Sequence, residues 1–374
     1  MIRDMRYVTD SHQIPSSRPE EWQPLLRRGF ELGWVSDDAR PAAPAADEVA
    51  YRWRQDKASI LPGIIDVASW QSEIGAAHAL MEEVLDADEL SPLLEKPPYI
   101  DRLGETFPLV ASSFEEHDEQ GIEKVYFDAD QDGEPIAENL WCKASWLSFI
   151  EEDASLRFRF SFGMECLEDV AADPGRQLWA GRLCDTIFPE SKSITENPQI
   201  LSILENIVGG EPAFVERIVY FNAPNGGAQM HHDVERGHDG VVFAQLSGST
   251  FWLALAKPLL IDALIDFITN PANSDEVTRL LPDATDRLAL AEMLSDRAVL
   301  SAYMDEFDHE LVEAVMDRSA LFTQHLVEKG YGYILHAGDV LLMPQRDLDN
   351  CVWHSVICLG DEPGEALSFA VRRK

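Results

Sequence analysis

The chain has 374 residues, 45% of them hydrophobic, enough for one large domain or two ordinary ones around a sizeable core. Its formal net charge is −37, from 67 acidic against 30 basic residues, a surface that repels phosphate backbones and argues against nucleic acid as a partner. No apolar run reaches the roughly 18 residues of a membrane span, and the N-terminus lacks the apolar core of a secretory signal. The expectation is a cytoplasmic protein whose acidity serves solubility.

Residues 1–120 read as a mainly helical region. Ser17-Arg18-Pro19-Glu20-Glu21 has a capping serine, an early proline and acids in the first turn, which predicts a helix carrying Trp22, Leu25, Leu26 and Phe30 and stopping near Gly33. Residues 36–48 read as a loop. Helical spacing of Ile65, Ala68, Trp70, Ile74, Ala77 and Leu80 predicts a second helix over 65–86, and Pro97-Pro98 breaks the chain. Strand-like runs follow at 124–127 and 156–162; the second alternates arginine with aromatics, the pattern of a half-exposed strand. Between them, Asp128-Ala129-Asp130-Gln131-Asp132-Gly133 resembles the opening of a calcium loop. The twelfth position is Asn139 rather than glutamate, so a turn is expected.

Residues 175–208 read as helical. The texture then changes to strands at 214–222, 241–246 and 250–255, with turns at Pro224-Asn225-Gly226-Gly227 and Ser247-Gly248-Ser249. An acidic helical stretch over 258–330 interrupts this pattern, and strands resume at 333–335, 340–344, around His354 and at 366–372. A 70-residue interruption is too long for an unstructured loop in a compact domain. The expected class is therefore α+β: a β-barrel core from 121–257 and 331–374, a helical N-terminal region 1–120, and a helical insertion 258–330. The five cysteines (Cys142, Cys166, Cys184, Cys351 and Cys358) are odd in number with no C-x-x-C pair, which predicts reduced, buried fillers rather than disulfides or a thiolate metal site.

His231 and Asp233 form an H-x-D pair, and His354 is the candidate third member. On a strand, residues i and i+2 share a face, so both side chains of the pair reach one cavity. Two imidazoles and a carboxylate are the facial set that holds non-haem Fe(II) while leaving coordination sites open. His232 would point the other way, and His238 and His336 read as loop or turn residues.

The order of motifs resembles the JmjC/cupin-like branch of the Fe(II)/2-oxoglutarate dioxygenases. The residues that carry it are His231-His232-Asp233, then Gln245-Leu246-Ser247-Gly248 with Phe251-Trp252, then Gly338-Asp339 leading to Pro344, and Trp353-His354, together under a quarter of the chain. The resemblance implies a double-stranded β-helix (a jelly-roll or cupin barrel) with His231, Asp233 and His354 as ligands of Fe(II). It also implies 2-oxoglutarate as co-substrate, molecular oxygen, and hydroxylation of a C–H bond in a small-molecule or peptide substrate. Halogenating relatives replace the carboxylate with a small residue; Asp233 retains it. The branch often places a lysine for the distal carboxylate of 2-oxoglutarate where this chain has Thr250. Other branches use an arginine on the last strand, which makes Arg372 the expected anchor ahead of Arg346, with Asn222 and Tyr220 on a neighbouring strand face. Two further readings stay open: a cupin-type metalloenzyme that does not use 2-oxoglutarate, and a non-catalytic barrel whose acidic insertion serves as a binding surface. A homodimer formed through the helical parts is compatible with either.

Overall fold

Pro24 and Gly29 shape the start of the chain. The computed structural model describes residues 5–27, 29–37, 41–114, 120–147, 157–165, 172–235, 237–306 and 309–374. Strands β1 (Met5–Val8), β2 (Gln23–Arg27) and β3 (Phe30–Asp37) form a three-stranded antiparallel sheet in the order β1-β3-β2. The helix expected from Ser17 is only a single 3-10 turn, Pro19–Glu21. Inside a helix Pro24 would remove a hydrogen bond and clash with the preceding turn; on the edge strand β2 it sits at a register shift beside Leu26. Gly29, with φ 77°, turns the chain back before β3. Leu156 and Cys166, singled out from the sequence, lie outside the described residues, as does part of the 36–48 stretch.

Helix Ala46–Arg54 and strand β4 (Ser59–Leu61) come next. Helix Gln71–Ala87 buries Ile74, Ala77 and Leu80 along the expected face. Short helices Ser91–Leu94 and Tyr99–Leu103 flank Pro97-Pro98. A meander of long strands follows: β5 (Leu109–Ser113), β6 (Gln120–Gln131), β7 (Glu134–Leu147) and β8 (Arg157–Met164). Asp132 (φ 55°) and Gly133 (φ 80°) form the two-residue turn between β6 and β7, as the Asp-Gly pair favours. After helices Pro174–Ile187, Lys192–Thr195 and Pro198–Val208 the chain enters β9 (Pro212–Asn222), β10 (Gly227–His231), β11 (Gly240–Gln245) and β12 (Ser249–Ala256). Six α-helices between Lys257 and Glu328 precede β13 (Gly332–His336), β14 (Val340–Pro344), β15 (Val352–Leu359) and β16 (Gly364–Arg373).

The result is a mixed helix-and-strand protein built on large antiparallel sheets. One has nine strands in the order β4-β14-β11-β16-β9-β8-β7-β6-β5, and one has four in the order β10-β15-β12-β13. Side-chain parity assigns each face. Val241 and Phe243 of β11 and Leu341 and Met343 of β14 meet Trp252 and Ala254 of β12 and Val352 and Val356 of β15 between the two sheets. Val242, Ala244, Leu342 and Phe369 turn the other way and pack under helices Gln71–Ala87 and Pro174–Ile187. Phe251, Leu253, Leu255, Trp353 and Ile357 leave the four-stranded sheet on its outer side and join the helices of 257–328 together with Leu25, Leu32 and Val35. Trp353 therefore packs against the insertion, while its neighbour His354 faces inward. Cys142, Cys184, Cys351 and Cys358 are buried and free.

Candidate metal centre

The chain approaches the site through a tight turn. Asn225 (φ 59°) and Gly227 (φ 129°) reverse it after β9, and a Cβ on Gly227 would lie 2.1 Å from the carbonyl oxygen of Val356, so only glycine lets β10 come this close to β15. His231 is the last residue of β10 and pairs directly with His354 of β15. Asp233 follows just beyond the strand end rather than on it. The imidazole rings lie 4.3 Å apart. Asp233 bridges them, its Oδ1 3.5 Å from Nε2 of His231 and its Oδ2 3.4 Å from Nε2 of His354.

These distances suit a shared cation. Donors about 2.1 Å from one ion, at right angles, stand roughly 3 Å apart. The second nitrogen of His231 is committed elsewhere: Nδ1 lies 2.6 Å from the Gln229 carbonyl, which fixes Nε2 as the lone-pair nitrogen facing Asp233. Burial, then the neighbouring His231, lower the pKa of His354 to about 4, so it is a neutral donor at physiological pH. Burial opposes ionisation of Asp233, but His354 and His231 outweigh it and hold the carboxyl well below its usual range. Trp252 stacks on His354 at 5.4 Å. His232 turns outward, 5.2 Å from Trp353, and stands apart from this group.

The three side chains open onto a narrow cavity of about 30 Å³ between the sheets, walled by Phe243, Trp252, Met343 and Val356. Its polar lining comes from Asn222, Tyr220, Ser368 and Arg157. Asn222, expected here, is 5% exposed, and its Nδ2 has no hydrogen-bond partner. Arg157 was not foreseen. It opens β8, which pairs with β9 so that Arg157 stands opposite Asn222. The alternation of arginine with phenylalanine gave the correct strand, but the face taken for solvent turns toward the cavity. Arg157 also stands over Tyr220, 5.8 Å from the ring centre.

Thr250, Arg372 and Arg346, the other positions considered for the co-substrate, lie elsewhere. Thr250 is fully buried, donating to Oε1 of Gln245 at 2.8 Å and accepting from Nε1 of Trp252 at 2.9 Å, a core role away from the cavity. Ser368 takes the inward position on β16, and Arg372 lies four residues further along, about 13 Å at strand rise. Its Nε donates to the Arg373 carbonyl at 3.2 Å. Arg346 pairs with Asp56. A second cluster, Glu216, Glu235 and His238, brings its donor atoms within 4.8 Å of one another. His238 is buried rather than a surface loop residue, 3.8 Å from Glu216. Burial, then Glu235 and Asp233, push Glu216 up to about 7. His336 lies 2.6 Å from Asp37 and takes no part in either cluster.

No protein-family model matches the sequence, and neither does any curated protein. Solved structures offer distant likenesses. The non-haem α-ketoglutarate-dependent epimerase SnoN from nogalamycin biosynthesis is 13% identical over 88% of this chain and 82% of its own, with a TM-score of 0.34. A Burkholderia pseudomallei oxidoreductase of the 2OG-Fe(II) oxygenase family is 10% identical over 90% and 94%, with a TM-score of 0.33. The Escherichia coli ribosomal oxygenase YcfD is 12% identical over 69% of this chain and 41% of its own, with a TM-score of 0.26. Likeness this low leaves the chemistry of this chain to its own residues.

Proposed function

We propose that the chain is a non-haem Fe(II)/2-oxoglutarate-dependent oxygenase that oxidises a C–H bond of its substrate within a double-stranded β-helix. The observation that carries the reading is the inward-facing set of His231, Asp233 and His354 at one end of a cavity whose polar lining includes Arg157 and Asn222. Strand order supports the fold. The last eight strands divide into β9, β11, β14 and β16 in one sheet and β10, β12, β13 and β15 in the other, as expected when a barrel is wound from paired strands.

Bound by these three residues, Fe(II) would supply oxygen activation coupled to oxidative decarboxylation of 2-oxoglutarate. Asp233 stays ionised and His354 stays neutral, so the carboxylate is the anionic donor of the set. The Gln229 carbonyl holds the ring of His231 in one orientation. The Arg157 guanidinium would take the distal carboxylate of 2-oxoglutarate, with the free amide N–H of Asn222 as a second donor. Phe243, Trp252, Met343 and Val356 give the pocket apolar walls. A cavity of about 30 Å³ holds one or two waters, so an extended dicarboxylate requires side chains at its mouth to move. The positions of Thr250, Arg346 and Arg372 favour a second reading, a metalloenzyme that does not use 2-oxoglutarate.

One experiment separates the two: 2-oxoglutarate binding and succinate formation by the iron-loaded protein and its Arg157→Ala variant. Loss of charge-assisted bonds should weaken 2-oxoglutarate binding roughly 10- to 100-fold while iron content is kept. An iron-loaded wild type that neither binds nor consumes 2-oxoglutarate would replace this reading with the second.

A further inference from the structure

The β10–β15 ladder is irregular beside the metal ligands. Ala228 pairs with Val356 and His231 with His354, so Gln229 and Met230 together face the single residue Ser355. Two residues opposite one is a β-bulge, a device that kinks a strand and re-aims its side chains. β10 is also the edge strand of its sheet, where backbone groups on the outer side have no neighbouring strand.

Side chains from two remote parts of the chain hold this point. The Met230 N–H donates to Oδ1 of Asp317 at 3.0 Å. The Val356 carbonyl, opposite Ala228, accepts from a terminal nitrogen of Arg27 at 2.6 Å. Arg27 and Asp317 are paired with each other, their side chains 2% and 1% exposed. Arg27 ends β2 of the N-terminal sheet, and Asp317 belongs to helix Glu310–Arg318. One turn earlier on that helix, Glu313 accepts from Nε2 of Gln229 at 3.0 Å, and the Gln229 carbonyl in turn holds Nδ1 of His231.

We propose that the buried Arg27–Asp317 pair is a positioning device for the metal centre. The Asp317 carboxylate, held in place by Arg27, fixes the bulge that aims His231 at Asp233 and His354, and through it the helical insertion sets metal affinity. The proposal rests on reading these three residues as metal ligands. A pair that served stability alone would need only its own charges matched; here the acceptor offered to the Met230 amide is the active element.

Two double variants separate charge from acceptor. R27M/D317N removes both charges and keeps an acceptor for Met230, whereas R27M/D317L removes both charges and the acceptor. Each is measured by Co(II) titration with the absorption spectrum of the complex, and by amide hydrogen exchange over residues 227–234 without metal. R27M/D317N should bind Co(II) within about threefold of wild type, and R27M/D317L about 10- to 100-fold more weakly, as loss of an outer partner of a ligand does. R27M/D317L should also show an altered Co(II) spectrum and faster exchange over 227–234, at a melting temperature close to that of R27M/D317N. Wild-type affinity and exchange in R27M/D317L would overturn the proposal. If the wild-type protein binds no Co(II), the metal reading falls, and exchange alone decides: equal exchange in the two variants overturns the positioning role. Should R27M/D317L fail to fold, R27M/D317N decides, since exchange faster than wild type there would show that the acceptor is not what holds the bulge.

Discussion

At the scale of single residues, the site depends on which nitrogen and which oxygen each side chain has left to offer. His231 has Nδ1 engaged by the Gln229 carbonyl and presents Nε2. His354 is kept neutral by burial and by His231. Asp233 spans both with its two oxygens. Removing the carboxylate takes away the anionic donor of the set and leaves only imidazoles to hold a divalent ion. Asp233→Ala is accordingly expected to lose bound iron to background by elemental analysis, with a far-ultraviolet spectrum unchanged from wild type. His231→Ala should do the same. His232→Ala should retain the metal, because that ring lies against Trp353 on the other side of the strand. The H-x-D spacing and the distal histidine were legible in the sequence, as was Asn222. Arg157 was not: a strand pattern shows which residues share a face but not what that face meets, and this is fixed only when β8 pairs with β9.

At the scale of elements, β10 is short, lies at a sheet edge, and is placed by its turn. A side chain at Gly227 would meet the Val356 carbonyl at 2.1 Å and would require φ near 129°, which residues other than glycine rarely adopt. Gly227→Ala should push β10 away from β15. The expected outcome is weaker metal binding together with a loss of folding stability typical of backbone strain, about 1–3 kcal/mol. Calorimetry with and without metal checks both effects. The helical misreading at 22–30 has a similar local cause. Trp22, Leu25, Leu26 and Phe30 have helical spacing, yet Pro24 within that run cannot donate to a helix ladder, and Leu25, Leu26 and Phe30 lie in two strands. Spacing of apolar residues is ambiguous over so short a run, and the breaker carried the better information.

At the scale of the whole molecule, the nine-stranded sheet carries an unusual internal pair. Glu190 and Glu365 are both fully buried. Burial raises both carboxyls, Glu190 to about 7 and Glu365 well above 4.5, the latter further through Glu190 beside it. Their folded pKa values exceed the unfolded ones, so the folded state binds more protons. Stability from this pair is complete at pH below about 4.5 and declines as pH rises through 7. Between pH 5 and 8 the melting temperature should therefore fall. Glu365→Gln should flatten that fall and raise the melting temperature at pH 8; a steeper fall in the variant would contradict the assignment. Self-repulsion at a net charge of −37 adds to the same trend, and added salt should relieve that part alone. No described helix is long and apolar enough to cross a membrane.

By itself the sequence determined the strand texture from β9 onward, a helical interruption over about 258–330, and the candidate ligand trio. Each of these is written in local periodicity, turn chemistry or short motif spacing. Only the tertiary structure decided that Arg157 rather than Thr250, Arg346 or Arg372 shares the cavity with the trio. It alone also decided that Arg27 and Asp317 meet on the bulge beside His231. The physical reason is the same in both cases. These contacts join residues from separate elements, and a long-range contact is chosen by strand pairing and burial, which a side chain's own neighbours in sequence do not specify.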